Sequence, residues 1–150
     1  MRDPYLASLG DDAENIPKSR FHQALAARSG MIKPLLLRQD VVSGIGNIIA
    51  DEALWQAKIH PQKKLVELEK RDLDHVHRAL SRTIRTMLAA GGTTLRNWGH
   101  PDGARGRYQE RRLVYAKPGQ PCPRCRRQLE RIIVGSRGTT ICPKCQRLKS

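Results

Sequence analysis

Two pairs of cysteines near the C-terminus limit the fold of this chain more than any other feature. They lie in Cys122-Pro-Arg-Cys125 and Cys142-Pro-Lys-Cys145. The short spacing inside each pair lets both sulfurs face one ion, and a hairpin between the pairs can close a tetrahedron. Four thiolates suit Zn²⁺, so we expect one structural zinc ion, with an iron cluster or redox dithiols as the alternatives. The expected ligands are Cys122, Cys125, Cys142 and Cys145.

The charge of the chain indicates a polyanionic partner. Lysine and arginine number 28 against 14 aspartates and glutamates, which gives a net charge of +14. Such an excess repels itself unless a polyanion relieves it, so nucleic acid is the expected partner and an anionic membrane surface the alternative. The sequence has no apolar run of about 18 residues, and its start lacks the pattern of a secretory signal. We therefore expect a reducing cytoplasm, where cysteines serve as metal ligands or free thiols.

The hydrophobic pattern predicts an α+β protein, with a helical bundle followed by a zinc-bound β-hairpin. Apolar residues recur at helical spacing up to Ala90, and the spacing shortens to that of strands after Arg111. The expected divisions are a tail or linker at 1–20, a helical domain at 21–110 and a zinc finger at 111–150. The expected helices start at Phe21, Asn47 and Glu67, and a further short helix is expected with Pro34 in its first turn and its end near Asp40. The expected strands are 113–115, 129–134 and 139–142.

Two turns are candidate phosphate-binding sites. Ser43-Gly-Ile-Gly-Asn47 precedes a helix, where Gly44 and Gly46 allow close approach and the backbone N–H groups are free. Arg137 lies in a Gly-Ser-Arg-Gly turn and can present its guanidinium to a phosphate, although a solvated turn residue is the alternative. Asp51 and Glu52 are expected to form a solvated or capping face rather than an acid/base pair. No histidine is assigned to metal.

Together these segments resemble the formamidopyrimidine-DNA glycosylase and endonuclease VIII family. The resemblance extends from about residue 8 to Gln146. Its helix–two-turn–helix part is carried by Ile32-Lys-Pro-Leu-Leu-Leu, Val42-Ser-Gly-Ile-Gly-Asn-Ile-Ile-Ala-Asp-Glu-Ala-Leu-Trp55 and Ile59-His-Pro61. Its finger part is carried by Gln109-Glu-Arg-Arg-Leu-Val-Tyr115, the four cysteines and Arg137-Gly-Thr. Gly91-Gly-Thr-Thr-Leu-Arg96 also matches.

The resemblance implies a set of DNA-contacting residues. Lys33 and Asn47 correspond to phosphate contacts beside the damaged nucleotide, and Arg28 to a further basic contact. Arg137 corresponds to the finger-tip arginine, which in the bifunctional enzymes also acts as a proton donor in δ-elimination. The expected DNA contacts are Arg28, Lys33, Gly44, Gly46, Asn47, Arg107, Tyr108 and Arg137. Arg107-Tyr108 departs from the family's Tyr-Phe, which alters one phosphate contact.

A second departure concerns catalysis. The family's nucleophile is an N-terminal proline followed by glutamate, whereas this chain begins Met-Arg-Asp-Pro. The expected function is therefore zinc-dependent binding of damaged or abasic duplex DNA on the bacterial nucleoid, as the C-terminal half of a base-excision-repair DNA glycosylase/AP lyase. This half is either a truncated gene product or the partner of a separately encoded catalytic half. The alternatives are weak AP-lyase activity through an amine of this chain, and a zinc ribbon that binds RNA or protein.

Overall fold

The computed structural model describes residues 10–90 and 112–148. The first part holds a short strand pair and four α-helices, and the second part holds a β-hairpin. The strands are β1 (Asp11–Asp12), β2 (Val42–Ser43), β3 (Glu130–Val134) and β4 (Arg137–Ile141). The α-helices are α1 (Lys18–Ala26), α2 (Ile32–Leu37), α3 (Asn47–Ala57) and α4 (Lys70–Ala89), with a 3₁₀ turn at Leu65–Glu67. The predicted α+β class is confirmed.

The helical core forms around α3, a helix that is buried over most of its length. Seven of its positions are buried, in a run from Ile49 to Trp55, so α3 buries more than one face. Helix α4 packs against it with an amphipathic stripe that includes Val76, Leu80 and Ile84. The left-handed backbone of Lys58 (φ 61°) ends α3. No helix in the described parts of the chain is long and apolar enough to cross a membrane.

Residues 10–17 differ from the expected tail or linker. Strand β1 pairs in parallel with β2, and Ala13 and Ile16 are buried in the helical core. Gly10 lies so close to the neighbouring chain segment that a Cβ there would meet the Val41 carbonyl oxygen at 2.2 Å. Helix α1 therefore begins at Lys18, three residues before the expected start, because buried apolar side chains fix the preceding segment.

The finger hairpin follows the predicted pattern at its centre. Strands β3 and β4 are antiparallel, and Val134 pairs with Arg137 across a two-residue turn. Gly135 (φ 55°) and Ser136 (φ 68°) both have positive φ, as a primed hairpin turn requires. The prediction of a strand at 113–115 is wrong. The backbone N–H groups of these three residues bind the carboxylate of Glu52 instead of a neighbouring strand.

Candidate zinc site and nucleic-acid interface

The four cysteine sulfurs converge on one point. All four Sγ atoms lie within 4.8 Å of one another. The closest contacts cross between the two pairs, at 3.9 Å for Cys122–Cys145 and 3.4 Å for Cys125–Cys142. Four sulfurs bound to one zinc ion at about 2.3 Å would be about 3.8 Å apart. The geometry fits a tetrahedral Zn²⁺ site and not two separate dithiols, so the finger holds one structural zinc ion.

The finger is attached to α3 through Trp55. The indole Nε1–H of Trp55 donates to Cys122 Sγ at 3.4 Å, and the ring is buried. The Arg124 guanidinium lies 3.9 Å from the centre of this ring and donates to the Trp55 carbonyl oxygen at 2.7 Å. Gln146 adds a second link, since it accepts from the Cys142 N–H and donates to the Ile59 carbonyl. The cysteine site is therefore fixed relative to the helices.

A buried ion pair joins α2 and α3 beneath the finger. Lys33 Nζ donates to Asp51 Oδ1 at 2.6 Å, and the two side chains are 0% and 1% exposed. The same ammonium donates to Thr139 Oγ1 at 2.6 Å and to the Gly138 carbonyl at 3.4 Å. The other oxygen of Asp51 accepts from the Thr140 N–H at 3.1 Å. Both members of the pair therefore bind β4 as well as each other.

Burial works against the charge of both groups. It lowers the pKa of Lys33, while the attraction of Asp51 raises it again in part. It also raises the pKa of Asp51, which the neighbouring Lys33 ammonium and the Thr140 N–H partly counteract. Each charged form is thus stabilised mainly by the other. Removal of either member would leave an uncompensated charge with no exposed surface.

The hairpin turn and the residues after it, 135–138, form the fingertip. The helices bind the fingertip through hydrogen bonds to the Gly138 carbonyl. Asn47 Nδ2, at the start of α3, donates to it at 3.1 Å, and Lys33 Nζ, from α2, donates to it at 3.4 Å. Gly135 contributes a second contact, because a Cβ at this position would lie 3.0 Å from Pro34 Cγ. The neighbouring Arg137 is exposed. Asn47, Lys33 and the fingertip, which are far apart in the sequence, are therefore in direct contact.

The Ser43–Asn47 turn is held by hydrogen bonds with Gln39 and has no side-chain cap at the helix start. Gly44 has φ 94°, and its N–H donates to Gln39 Oε1 at 2.8 Å, while Gln39 Nε2 donates to the Ile45 carbonyl. No side chain caps α3 at Gly46. The first N–H groups of a helix have no partner within the helix, so this end can bind an anion.

Four other residues are predicted DNA contacts, and the structure places them in three different situations. Arg28 is partly exposed and lies 3.9 Å from Asp40, which follows α2 in the sequence. Arg107 and Tyr108 lie outside the residues that the structure describes. Lys33 is not placed for the expected direct contact with a phosphate, because its ammonium has three protein partners and no exposed surface.

The carboxylates of Asp51 and Glu52 were not recognised from the sequence as structural anchors. The expected solvated face is wrong: both residues are buried and bind the finger segment. Glu52 accepts three backbone N–H groups from 113–115, at 2.7 to 3.0 Å. The apolar residues on both sides of Asp51 and Glu52 in the sequence could have indicated their burial. A helix that is apolar on most sides leaves no solvated face for two consecutive acids.

The fold and the site together define a helix–two-turn–helix domain that carries a four-cysteine zinc finger. Residues 9–98 match the family model described as the formamidopyrimidine-DNA glycosylase H2TH domain. Residues 119–148 match the zinc finger found in formamidopyrimidine-DNA glycosylase and isoleucyl-tRNA synthetase. The chain therefore belongs to the formamidopyrimidine-DNA glycosylase family.

Relatives and solved structures agree with this assignment. A formamidopyrimidine-DNA glycosylase from Lactobacillus delbrueckii subsp. bulgaricus is 43% identical over 145 residues, which are 95% of this chain and 53% of that protein. The structure of the Thermus thermophilus enzyme matches with a TM-score of 0.85 and 36% identity, over 98% of this chain and 57% of that one. The Lactococcus lactis enzyme, solved with DNA that contains an AP site, matches at 0.83 and 33% identity, over 97% and 53%. The chain thus spans about half the length of these relatives.

Proposed function

We propose that this chain binds damaged or abasic duplex DNA and contributes the zinc-finger half of a base-excision-repair DNA glycosylase/AP lyase. The observation that carries the proposal is the contact of Asn47 and Lys33 with the Gly138 carbonyl, directly beside the exposed Arg137. An arginine guanidinium matches phosphate oxygens well, and a fixed backbone reduces the entropy lost on binding. The DNA-bound relative from Lactococcus lactis supports the choice of ligand.

Each residue of the interface has a proposed role. Arg137 binds a phosphate directly. Asn47 holds the Gly138 carbonyl with one amide hydrogen and offers the second, since an amide NH₂ has two donors. Lys33 acts indirectly, because its ammonium is enclosed by Asp51, Thr139 and Gly138.

Gly44 and Gly46 open the start of α3 to the phosphate chain, and Arg28 adds positive charge to this surface. Binding of this kind would associate the chain with the bacterial nucleoid.

A role for Arg137 in δ-elimination is proposed only together with the catalytic residues of a partner or a longer chain. The alternative of an intrinsic amine nucleophile has one candidate in the buried lysine, since burial lowers the pKa of Lys33. An attacking amine must reach C1′ of the sugar, however, and Lys33 Nζ has no exposed surface. Borohydride trapping on an abasic duplex is expected to give no stoichiometric adduct. A competitor-resistant adduct would support the alternative.

The DNA-binding proposal is tested with Arg137→Ala. Removal of one charge-assisted phosphate contact should weaken binding to an abasic-site duplex by about 1–3 kcal/mol. The slope of log K against log salt should fall by about 0.9, as for one lost phosphate contact. Fluorescence anisotropy over a salt series measures both quantities.

Arg20→Ala is the matched control, because it removes the same charge from an exposed residue on α1 that pairs with Asp11. It should change affinity much less than Arg137→Ala does. Equal effects of the two substitutions would mean that only net charge matters. They would refute the proposal that Arg137 at the fingertip binds a DNA phosphate. An intact circular dichroism spectrum and zinc content establish that Arg137→Ala leaves the fold unchanged.

A further inference from the structure

Helix α4 carries a second basic surface, which is separate from the proposed DNA-binding surface at the fingertip. Arg78, Arg82 and Arg85 follow one another at steps of four and three residues, which places them on one face of a helix. All three are exposed. We call them the outer arginine row. The opposite side of α4 is buried against the core through Val76, Ala79, Leu80, Thr83, Ile84 and Met87.

The outer arginine row has no acidic partner among residues 10–90 and 112–148. The ion pairs in these ranges involve other cations. Asp74 lies four positions before Arg78 on α4. Its carboxylate is bound by His22 at 2.6 Å and faces Lys18 at 4.0 Å. Like charges three or four residues apart on a helix repel each other. The row is therefore a source of repulsion in the free protein, which a polyanion would relieve.

Two open clefts flank the row and add cations from other elements. The cleft between α1 and α4 has a volume of about 490 Å³, and Lys18, Ser81 and Thr86 line it beside all three arginines. A smaller cleft of about 240 Å³ lies toward the end of α3 and includes Lys58. The larger cleft is lined by basic and hydroxyl-bearing residues, one histidine and one acid, Asp74, and none of these described residues is apolar. A membrane-binding face would need apolar residues, so the lining favours a nucleic-acid phosphate chain.

The outer arginine row is separated from the fingertip by a layer of structure. Helix α3 contacts α4 and also contacts β4, so it lies between the two. One straight duplex held at Arg137 and Asn47 would face the finger side of α3, whereas the row is on the solvent side of α4. The row spans about 10 Å along the helix, at a rise of about 1.5 Å per residue. A duplex presents several phosphates over that length.

We propose that the outer arginine row binds the backbone of a second duplex-DNA segment while the fingertip holds the first. This inference rests on the proposed function for its first segment. The second contact would be independent of base sequence and of damage, because guanidinium groups on phosphates read neither. Its role would be to keep the protein on neighbouring DNA, or to bridge two segments.

Two-duplex capture by the full, zinc-loaded chain tests the inference. An abasic-site duplex is immobilised and saturated with protein, and a fluorescent undamaged duplex is then added over a salt series. The row variant R78Q/R82Q/R85Q should bind the immobilised duplex about as well as the native chain. Its capture of the second duplex should fall at least about tenfold, with a salt slope lower by about 2.7 for three lost phosphate contacts.

The control variant R20Q/K63Q/K64Q removes three positive charges outside the row. It should retain capture of the second duplex, and equal losses in both variants would overturn the inference by showing a net-charge effect. Unchanged capture by the row variant would overturn it as well, and would indicate bridging by paired protein molecules. Loss of the first duplex in the row variant would overturn it by assigning the row to the primary site. Failure of the native chain to bind the first duplex would instead refute the proposed function.

Discussion

Replacement of Asp51 by asparagine tests whether the finger is fixed to the helices by a buried ion pair. The substitution keeps the size of the side chain but removes its charge, so that Lys33 retains an ammonium with no exposed surface and no counter-charge. The second oxygen of Asp51, which accepts from the Thr140 N–H at 3.1 Å, becomes an NH₂ donor or must rotate away. Loss of one member of a buried pair costs about 3–5 kcal/mol. We expect Asp51→Asn to lower the free energy of unfolding by this amount.

The change is measured by urea denaturation at fixed zinc concentration, followed by far-ultraviolet circular dichroism, which reports on helix content. Asp40→Asn is the control, because Asp40 also pairs with a cation, Arg38 at 2.8 Å, but at an exposed site. Exposed pairs contribute little, so the control should be close to native. If Asp51→Asn is no more destabilising than Asp40→Asn, the ion pair is not an anchor and the reasoning fails.

The pH dependence of Asp51→Asn gives an independent check. Burial lowers the pKa of Lys33 already in the native chain, and removal of Asp51 takes away the attraction that opposes this shift. A lysine whose folded pKa lies below its unfolded pKa binds fewer protons when folded, so stability rises with pH between these two values. The deficit of the variant should therefore shrink as pH rises toward about 10, near the ordinary lysine pKa. A deficit that is constant with pH would mean that charge burial is not its cause.

Three further perturbations have defined outcomes. Cys142→Ser should release zinc and disorder roughly residues 118–148, because such a site supplies about 10–16 kcal/mol, and a proteolysis-resistant finger in the zinc-free variant would contradict this. Arg124→Ala should cost about 1–2 kcal/mol of stability by removing the ring and carbonyl contacts to Trp55, measured by urea denaturation. The hydrogen bond from His22 lowers the pKa of Asp74, so its contribution is present above the ordinary aspartate pKa and lost as pH falls through the lowered value. The stability difference between Asp74→Asn and the native chain should vanish at low pH.

The sequence predicted the parts of this molecule that depend on local pattern. Cysteine spacing is sufficient for the zinc site, because the two residues between the cysteines of each pair determine how the sulfurs can meet. Helix α4 follows from its apolar stripe, and the hairpin turn from Gly135. The end of α3 is less evident locally, because Lys58 adopts a left-handed conformation that usually favours glycine.

Long-range partners could not be predicted in the same way. Nothing near Lys33 in the sequence indicates that its ammonium binds Thr139, which lies 106 positions farther along the chain. Nor does the pattern at 113–115 show that these backbone groups bind Glu52 rather than a strand, since a short apolar run fits either state. Residues 10–17, which were expected to be part of a tail or linker, pack against the core instead, and the sequence does not show this for a related reason. A two-residue pairing with β2 gives no periodicity to detect.

The zinc ion and the ion pair have separate effects on the fingertip. Zinc can fix the fold of the hairpin, but it does not determine the direction in which the tip points, since all four ligands lie at the end away from Gly135–Arg137 in sequence. The direction is set by contacts from the helices, namely Asn47 and Lys33 on the Gly138 carbonyl and Pro34 against Gly135. Loss of zinc should therefore abolish the finger, whereas loss of Asp51 should leave a folded finger that is misplaced. A variant that retains zinc and helix content yet loses salt-dependent DNA binding would separate these two causes.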